Sequence, residues 1–341
     1  MHFFLYEWAI GGGLVEESGR LPRSLLTEGA AMLTALAADL LAIDGSRVSV
    51  LRDMRWDDLA LPGCEIVEVH SKSHHDDELA RLAKLADHTI VVAPETDNVL
   101  LLANQLVRQA GGRLLAASDG FVVVASDKQR TADLLAAGGV PVPEARLLDA
   151  DEERLPKDFP YPAVLKPVLG AGSQHTLLVA HAEDQPPPYS WPRRLERFCP
   201  GIAASVAFLC GPNGNCALPA CRQHLSSDGR FTYKGGSRIL EPPLVQRATT
   251  LADRALAALP SAVGYVGVDL VLGKAGDGSE DVVIEVNPRL TTSYVGLRTI
   301  AESNLAAAML EVATGRSTTL RFSDSAVEFL ADGTVCLTGE R

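Results

Sequence analysis

Short apolar runs alternate with amphipathic stretches through the first third of the chain. Residues 2–8, 47–51, 64–69 and 88–93 have the composition of strands, and 25–41, 76–86 and 98–109 carry a helical apolar spacing. Strand and helix in turn predict a parallel sheet covered by helices on both faces. The texture changes at Ser126. Residues 127–137 read as a helix closed by Gly138-Gly139, and a pair of strands follows at 144–148 and 163–168. The prolines at 186–188, with Trp191-Pro192, read as a linker. Beyond them, strands are expected at 203–209 and 217–221, and helices at 245–259 and 300–314.

Two later runs break an apolar alternation with polar groups. From Tyr265 to Leu272 the bulky positions are Val266, Val268, Leu270 and Leu272, which puts Asp269 on the other face. In Val282-Val283-Ile284-Glu285-Val286-Asn287, Glu285 and Asn287 share one face. The polar stretch 273–281 between the runs predicts a hairpin. Two carboxylates and an amide oxygen would then converge, a hard-oxygen set suited to magnesium beside nucleotide phosphates. Edge-strand acids facing water are the alternative reading.

At 341 residues the chain exceeds one ordinary core, and two or three domains are expected. A hydrophobic content of 47% is that of a folded globular protein. The net charge of −12 argues against broad nucleic-acid binding, although a nucleotide can bind through a few local lysines. Residues 1–8 lack a basic leader, so no signal peptide is expected, and no run of about 18 apolar residues suggests a membrane span. Cys210, Cys216 and Cys221 fit no common zinc spacing. Reduced, mostly buried cysteines in a cytoplasmic protein are the expectation.

Lys166 stands in Ala163-Val164-Leu165-Lys166-Pro167, and a lysine in an apolar strand is rarely buried without a partner. Gly170-Ala171-Gly172-Ser173 follows, a loop of small residues whose N–H groups can reach phosphate oxygens. It is not a Walker loop, because the lysine precedes the glycines. A second cation, Lys128, opens the helix at 127–137; alone it would read as an exposed first-turn lysine. Gly11-Gly12-Gly13 fails as a dinucleotide fingerprint, since bulky Glu16 takes the third small position. A loop near a ligand and a structural turn both remain open there. His74-His75-Asp76-Asp77 reads as an exposed, capped helix start rather than a metal cluster.

Ser126-Asp127-Lys128, the strand lysine with its glycine loop, Glu196-Arg197-Phe198-Cys199-Pro200-Gly201, Asp269 and Glu285-Val286-Asn287 stand in the order seen in ATP-grasp ligases, and residues 126–304 resemble that family. The resemblance implies an α/β chain: an ATP-grasp fold of two α+β subdomains gripping ATP, preceded by an N-terminal Rossmann-like parallel-sheet domain. The expected divisions are 1–117 for the leading domain, 118–190 and 191–325 for the central and C-terminal subdomains, and 326–341 for a tail. Lys128 and Lys166 would neutralise the ATP phosphates. Gly170, Gly172 and Ser173 would form the mobile loop over the triphosphate, and Glu196 would lie near the adenine amino group at the hinge. Asp269, Glu285 and Asn287 would bind magnesium (Mg2+), or Mn2+ in its place. Family members often carry a ribose-binding glutamate just past the hinge glycine, and Gly201-Ile202-Ala203-Ala204-Ser205 lacks it.

Within the family, Tyr6-Glu7-Trp8 before the three glycines, Arg222-Gln223, Tyr233-Lys234-Gly235-Gly236 and Asn287-Pro288-Arg289-Leu290-Thr291-Thr292 resemble tyramine–glutamate ligases of methanofuran biosynthesis. D-alanine–D-alanine ligases fit less well, since they usually place an arginine where Gly267 stands. The implied reaction phosphorylates a carboxylate and lets an amine attack the acyl phosphate. Arg289 would steady that intermediate or pair with a nearby acid. Arg222 and Lys234 are candidates for a substrate carboxylate or the γ-phosphate, against ordinary solvated charges. The implied partners are amino acid and amine substrates, with no nucleic acid and no membrane, and a homodimer is the default assembly. Two other readings stay open: a ligase for another amino acid or peptide, and a non-catalytic nucleotide-binding assembly protein.

Overall fold

The structure, a computed structural model, describes residues 1–18, 23–150, 152 and 154–338; residues 339–341, the end of the expected tail, lie outside them. The leading sheet is built from β1 (His2–Glu7), β2 (Arg47–Asp53), β3 (Glu65–Val69) and β4 (His88–Val92), parallel throughout in the order β3-β2-β1-β4. Every residue of β1 is buried, because both faces are covered. Phe3 and Leu5 pack under α1 (Arg23–Leu41), and Phe4 and Tyr6 under α2 (Lys72–Leu85) and α3 (Val99–Gln109).

Helix α1 is long and apolar enough to cross a membrane by length and composition, a feature missed in the sequence. More than half of it is buried inside the protein, where it meets β1, β2 and two later helices. The helix start at α2 is capped by Ser71, as expected, but His75 is not exposed. Its Nε2 lies 2.8 Å from the Tyr6 hydroxyl and its Nδ1 2.8 Å from Asp76, inside the core. Gly11 and Gly13 are demanded by packing: a Cβ at Gly13 would sit 2.0 Å from the Trp8 ring, and one at Gly11 would sit 2.6 Å from the Glu7 carbonyl. The three glycines line neither cavity described below.

The chain continues through α4 (Asp119–Ser126), which the sequence did not reveal, and α5 (Lys128–Ala137), capped by the Asp127 carboxylate. A second sheet holds β5 (Ala145–Leu148), β6 (Ala163–Pro167), β7 (Leu177–Val179) and β8 (Arg193–Arg197) in the order β5-β8-β6-β7. Strands β5 and β6 are therefore not a pair; β8 inserts between them. The proline-rich stretch connects β7 to β8 within one sheet, and the expected division at 190/191 cuts that sheet before its last strand. Local composition marks a loop but not which sheet the next strand joins.

The third sheet takes β9 (Ile202–Gly211), β10 (Gly214–Ala217), β11 (Cys221–Leu225), β12 (Tyr233–Arg238), β13 (Gly264–Leu272) and β14 (Val282–Asn287), with α6 (Pro242–Ala257) packed behind. The expected strand at 217–221 runs from the last residue of β10 to the first of β11, broken between them at 218–220, where Pro219 supplies no N–H to a ladder. The helix expected at 300–314 is the shorter α8 (Leu305–Ala313), capped by Asn304, and α7 (Ser293–Ile300) precedes it where no helix was expected. The expected tail contains β15 (Ala326–Leu330) and β16 (Val335–Thr338), which extend this sheet beyond β12. Among the cysteines only Cys210 and Cys221 are fully buried; Cys336 is exposed, and all six are free.

The cores divide unevenly. Two apolar clusters each run from the leading sheet into the third sheet, whereas the second sheet closes its own small core around Leu148, Phe159, Leu165 and Leu195. The second sheet therefore packs on a core of its own. Asp39 on α1 pins the leading domain to α7: it accepts from Tyr294 Oη at 2.5 Å and from Arg298 Nε at 3.0 Å. Asp39→Ala should lower unfolding stability by about 1–3 kcal/mol through the donors left unpaired. A urea midpoint unchanged from wild type would refute that pin.

Candidate active site

The second and third sheets face each other across a cavity of about 440 Å³. Lys166 enters it from β6 and Glu196 from β8, both 5% exposed or less. Lys166 Nζ lies 2.7 Å from Glu196 Oε2, and Arg194 Nε donates to Glu196 Oε1 at 2.6 Å. Two cations share one carboxylate, so the buried cluster keeps one positive charge for an anion. Both Glu196 oxygens are thereby engaged. Glu196 lines the cavity, and in this structure its carboxylate orients Lys166 and Arg194.

Lys128 sits in the first turn of α5, where a cation opposes the helix dipole. Its surroundings compensate: Nζ donates to the Gly170 carbonyl at 2.6 Å and lies 3.3 Å from Glu285 Oε2. The lysine thus joins the glycine loop to the third sheet. In that loop Gly172 and Ser173 both adopt positive φ, 62° and 57°. For serine this costs roughly 1–2 kcal/mol, strain of the sort kept at ligand-handling loops. Gly170, Gly172 and Ser173 all line the cavity.

The hairpin forms as the alternation predicts, with β13 antiparallel to β14 and Asp269 paired with Glu285. Gln223 Nε2 donates to Asp269 Oδ1 at 3.0 Å and Asn287 Nδ2 to Oδ2 at 3.1 Å. Burial, then the neighbouring Glu285, push the Asp269 carboxyl up to about 7. Burial would raise Glu285 too, but Lys128 and Lys166 outweigh it and hold that carboxyl below its usual range. A half-buried carboxylate pair of this kind calls for a counter-cation. Among the described residues no three His, Cys, Asp or Glu side chains gather, so Asn287 has to complete any such set.

Arg289 lines the cavity and pairs with an acid, the second of its two expected readings. Its Nε and Nη2 each lie 3.0 Å from a Glu95 oxygen. Arg222 and Lys234 do not reach the cavity. Arg222 pairs with Glu241 at 2.5 Å, because β11 turns Gln223 and Leu225 inward instead. Lys234 is exposed at an irregularity where His224 pairs with Gly235 and Leu225 with Tyr233, which skips it. Tyr233 takes the inward position.

Several lining residues were not singled out in the sequence. Glu28 comes from α1, and Phe198 and Phe231 stack across the cleft at 6.2 Å. Glu95, which holds Arg289, lies just beyond the C-terminal end of β4; ligands favour that end of parallel strands, and this rule could have flagged it.

Residues 125–293 match the family model described as the ATP-grasp domain, and residues 46–120 match the pre ATP-grasp 3 domain. The chain belongs to the ATP-grasp family. It is similar to the tyramine–L-glutamate ligase of Methanocaldococcus fervens, 25% identical over 93% of this chain and 95% of the relative. Its fold matches an ATP-grasp superfamily protein of Archaeoglobus fulgidus with a TM-score of 0.70 at 22% identity, over 96% of this chain and 92% of that one. It also matches the ADP complex of N5-carboxyaminoimidazole synthetase from Staphylococcus aureus, with a TM-score of 0.70 at 12% identity, over 96% and 81%. ATP-grasp proteins bind ATP, and this one is an ATP-dependent ligase that forms C–N bonds.

Proposed function

We propose that this ATP-grasp ligase joins the side-chain carboxylate of glutamate to a primary amine, tyramine first among candidates, in methanofuran-type cofactor synthesis in the cytoplasm. The observation that carries the reading is the end-to-end likeness to a tyramine–L-glutamate ligase, with sequence matched on both sides of the cleft. A glutamate oxygen attacks the γ-phosphorus of ATP, forming an acyl phosphate and releasing ADP. The amine then attacks the acyl carbon, an amide bond forms, and inorganic phosphate leaves. Such chemistry depends on positioning and on charge neutralisation more than on a protein nucleophile.

In this reading Lys128 and Lys166 balance the phosphate charge, with Glu196 and Arg194 fixing Lys166. The loop from Gly170 to Ser173 covers the triphosphate and excludes water. Arg289, held by Glu95, steadies the acyl phosphate. Asp269, Glu285 and Asn287 would hold Mg2+, or Mn2+, which neutralises phosphate oxygens when bound.

A pH dependence follows. The Asp269 carboxyl, at about 7, is protonated in acid, and a divalent cation must displace that proton. Affinity for Mg2+ should therefore fall as pH drops below about 7, approaching tenfold per pH unit. Calorimetric affinity that stays flat across this range would count against Asp269 as a ligand.

The substrate reading is tested by incubating the protein with ATP, Mg2+, glutamate and an amine panel, recording ADP release and product mass together. A new γ-glutamyl amide with matching ADP is expected. ADP that depends on a different acid would overturn the choice of glutamate.

A further inference from the structure

A second, smaller chamber of about 40 Å³ adjoins the cleft, between α1, the end of β4 and the glycine loop. It shares Glu28, Arg289 and part of that loop with the larger cavity. Leu25, Met32 and Pro94 give it an apolar wall, and Glu7 closes it. Glu7 is only 2% exposed. Its Oε2 accepts from the Ile10 N–H at 2.7 Å, the Ala9 N–H is a second backbone donor to the carboxylate, and no side-chain cation pairs with it among the described residues. That carboxylate occupies the space over Gly29, where a Cβ would stand 2.6 Å from Oε1. Glu28 accepts one hydrogen bond, from Thr292 Oγ1 at 3.2 Å.

The charges around the chamber do not cancel. Arg289 faces Glu7, Glu28 and Glu95, and its guanidinium is spent on Glu95 with both contacts. Glu7 and Glu28 make no ion pair of their own among the described residues and feel Arg289 only at a distance, in a setting where an under-compensated charge is costly. Burial accordingly raises both carboxyls, Glu7 to about 7. A cationic ligand group would relieve this cost, and the apolar wall would accept the carbons beside it.

We propose that the chamber is the ammonium subsite of the amine substrate, with Glu7 and Glu28 as its counter-charges. This rests on the ligase reading above and adds where the amine is held. The site sets the amine beside Arg289. Such a subsite discriminates by charge: a primary amine binds, and a neutral molecule of the same outline does not.

The test titrates tyramine and 4-ethylphenol, which has the same ring and two-carbon chain without the nitrogen, into wild type, Glu28→Gln and Glu7→Gln, with ADP as control ligand. Tyramine should bind wild type about tenfold or more tighter than 4-ethylphenol, the range expected for a charged hydrogen bond. Each glutamine variant should lose about that factor for tyramine while ADP affinity is unchanged. Should Glu7→Gln fail to fold, Leu25→Phe keeps both carboxylates and narrows the chamber, and tyramine binding should drop there too. Equal binding of the two ligands, no tyramine binding, or glutamine variants that bind tyramine as wild type does would each overturn the subsite. Tyramine held through Glu28, with no glutamate-dependent ADP, would instead overturn the acid substrate assigned above and leave the subsite standing.

Discussion

Replacing Glu285 by glutamine is expected to reduce ADP formation by roughly 10³-fold, the scale seen when one preorganised electrostatic contact is lost at a reacting centre. Two effects combine. The carboxylate beside Lys128 at 3.3 Å disappears, so the lysine loses the partner that aims it at the glycine loop. The pair with Asp269 also loses half its charge, and with it the affinity for a divalent cation. The sign for Asp269 is clear: without a negative neighbour its carboxyl falls back toward the ordinary range. Fold should survive, because Glu285 is partly exposed and glutamine keeps its shape. Near-normal turnover in a folded variant would remove Glu285 from the metal set.

Lys166→Ala should weaken nucleotide binding by roughly 10–100-fold, from the loss of about 1.5–3 kcal/mol for a charged hydrogen bond. The same change removes one partner of a buried pair, which by itself can cost about 3–5 kcal/mol of stability. Here Arg194 still holds Glu196 at 2.6 Å, so the destabilisation should fall short of that figure. Nucleotide titration and thermal unfolding separate the two losses. Unchanged ADP affinity would exclude Lys166 from the phosphate site, whatever happens to stability.

What was legible in the sequence was what local periodicity encodes. The hairpin of β13 and β14 follows from alternation alone, so Asp269, Glu285 and Asn287 could be placed together before any coordinates. Lys166 announced itself as a charge in an apolar strand. Arg222 and Lys234 failed for a tertiary reason: which face of β11 and β12 lines the cleft depends on register, and the ladder skips Lys234 at its irregularity. The insertion of β8 between β5 and β6, and the joining of β15 and β16 to the third sheet, are long-range pairings with no local signature. Glu28 and Glu95 were hidden for the same reason. They come from the leading domain and meet Arg289 only when the shared cores bring it against the third sheet.

This arrangement also bears on movement. The leading and third sheets share apolar clusters, while the second sheet carries its own core and contributes Lys166, Glu196 and the glycine loop. The carboxylates of the amine and metal subsites would then sit on one body and most phosphate contacts on the other. Closing the second sheet over ATP would assemble the reacting groups and exclude water together.

The most direct test of acyl phosphate chemistry is oxygen transfer. Glutamate labelled with heavy oxygen in its side-chain carboxylate is turned over with ATP and tyramine, and the released inorganic phosphate is weighed by mass spectrometry. One labelled oxygen in the phosphate for each amide formed is the predicted result. Amide formed with unlabelled phosphate would contradict activation of the carboxylate by ATP.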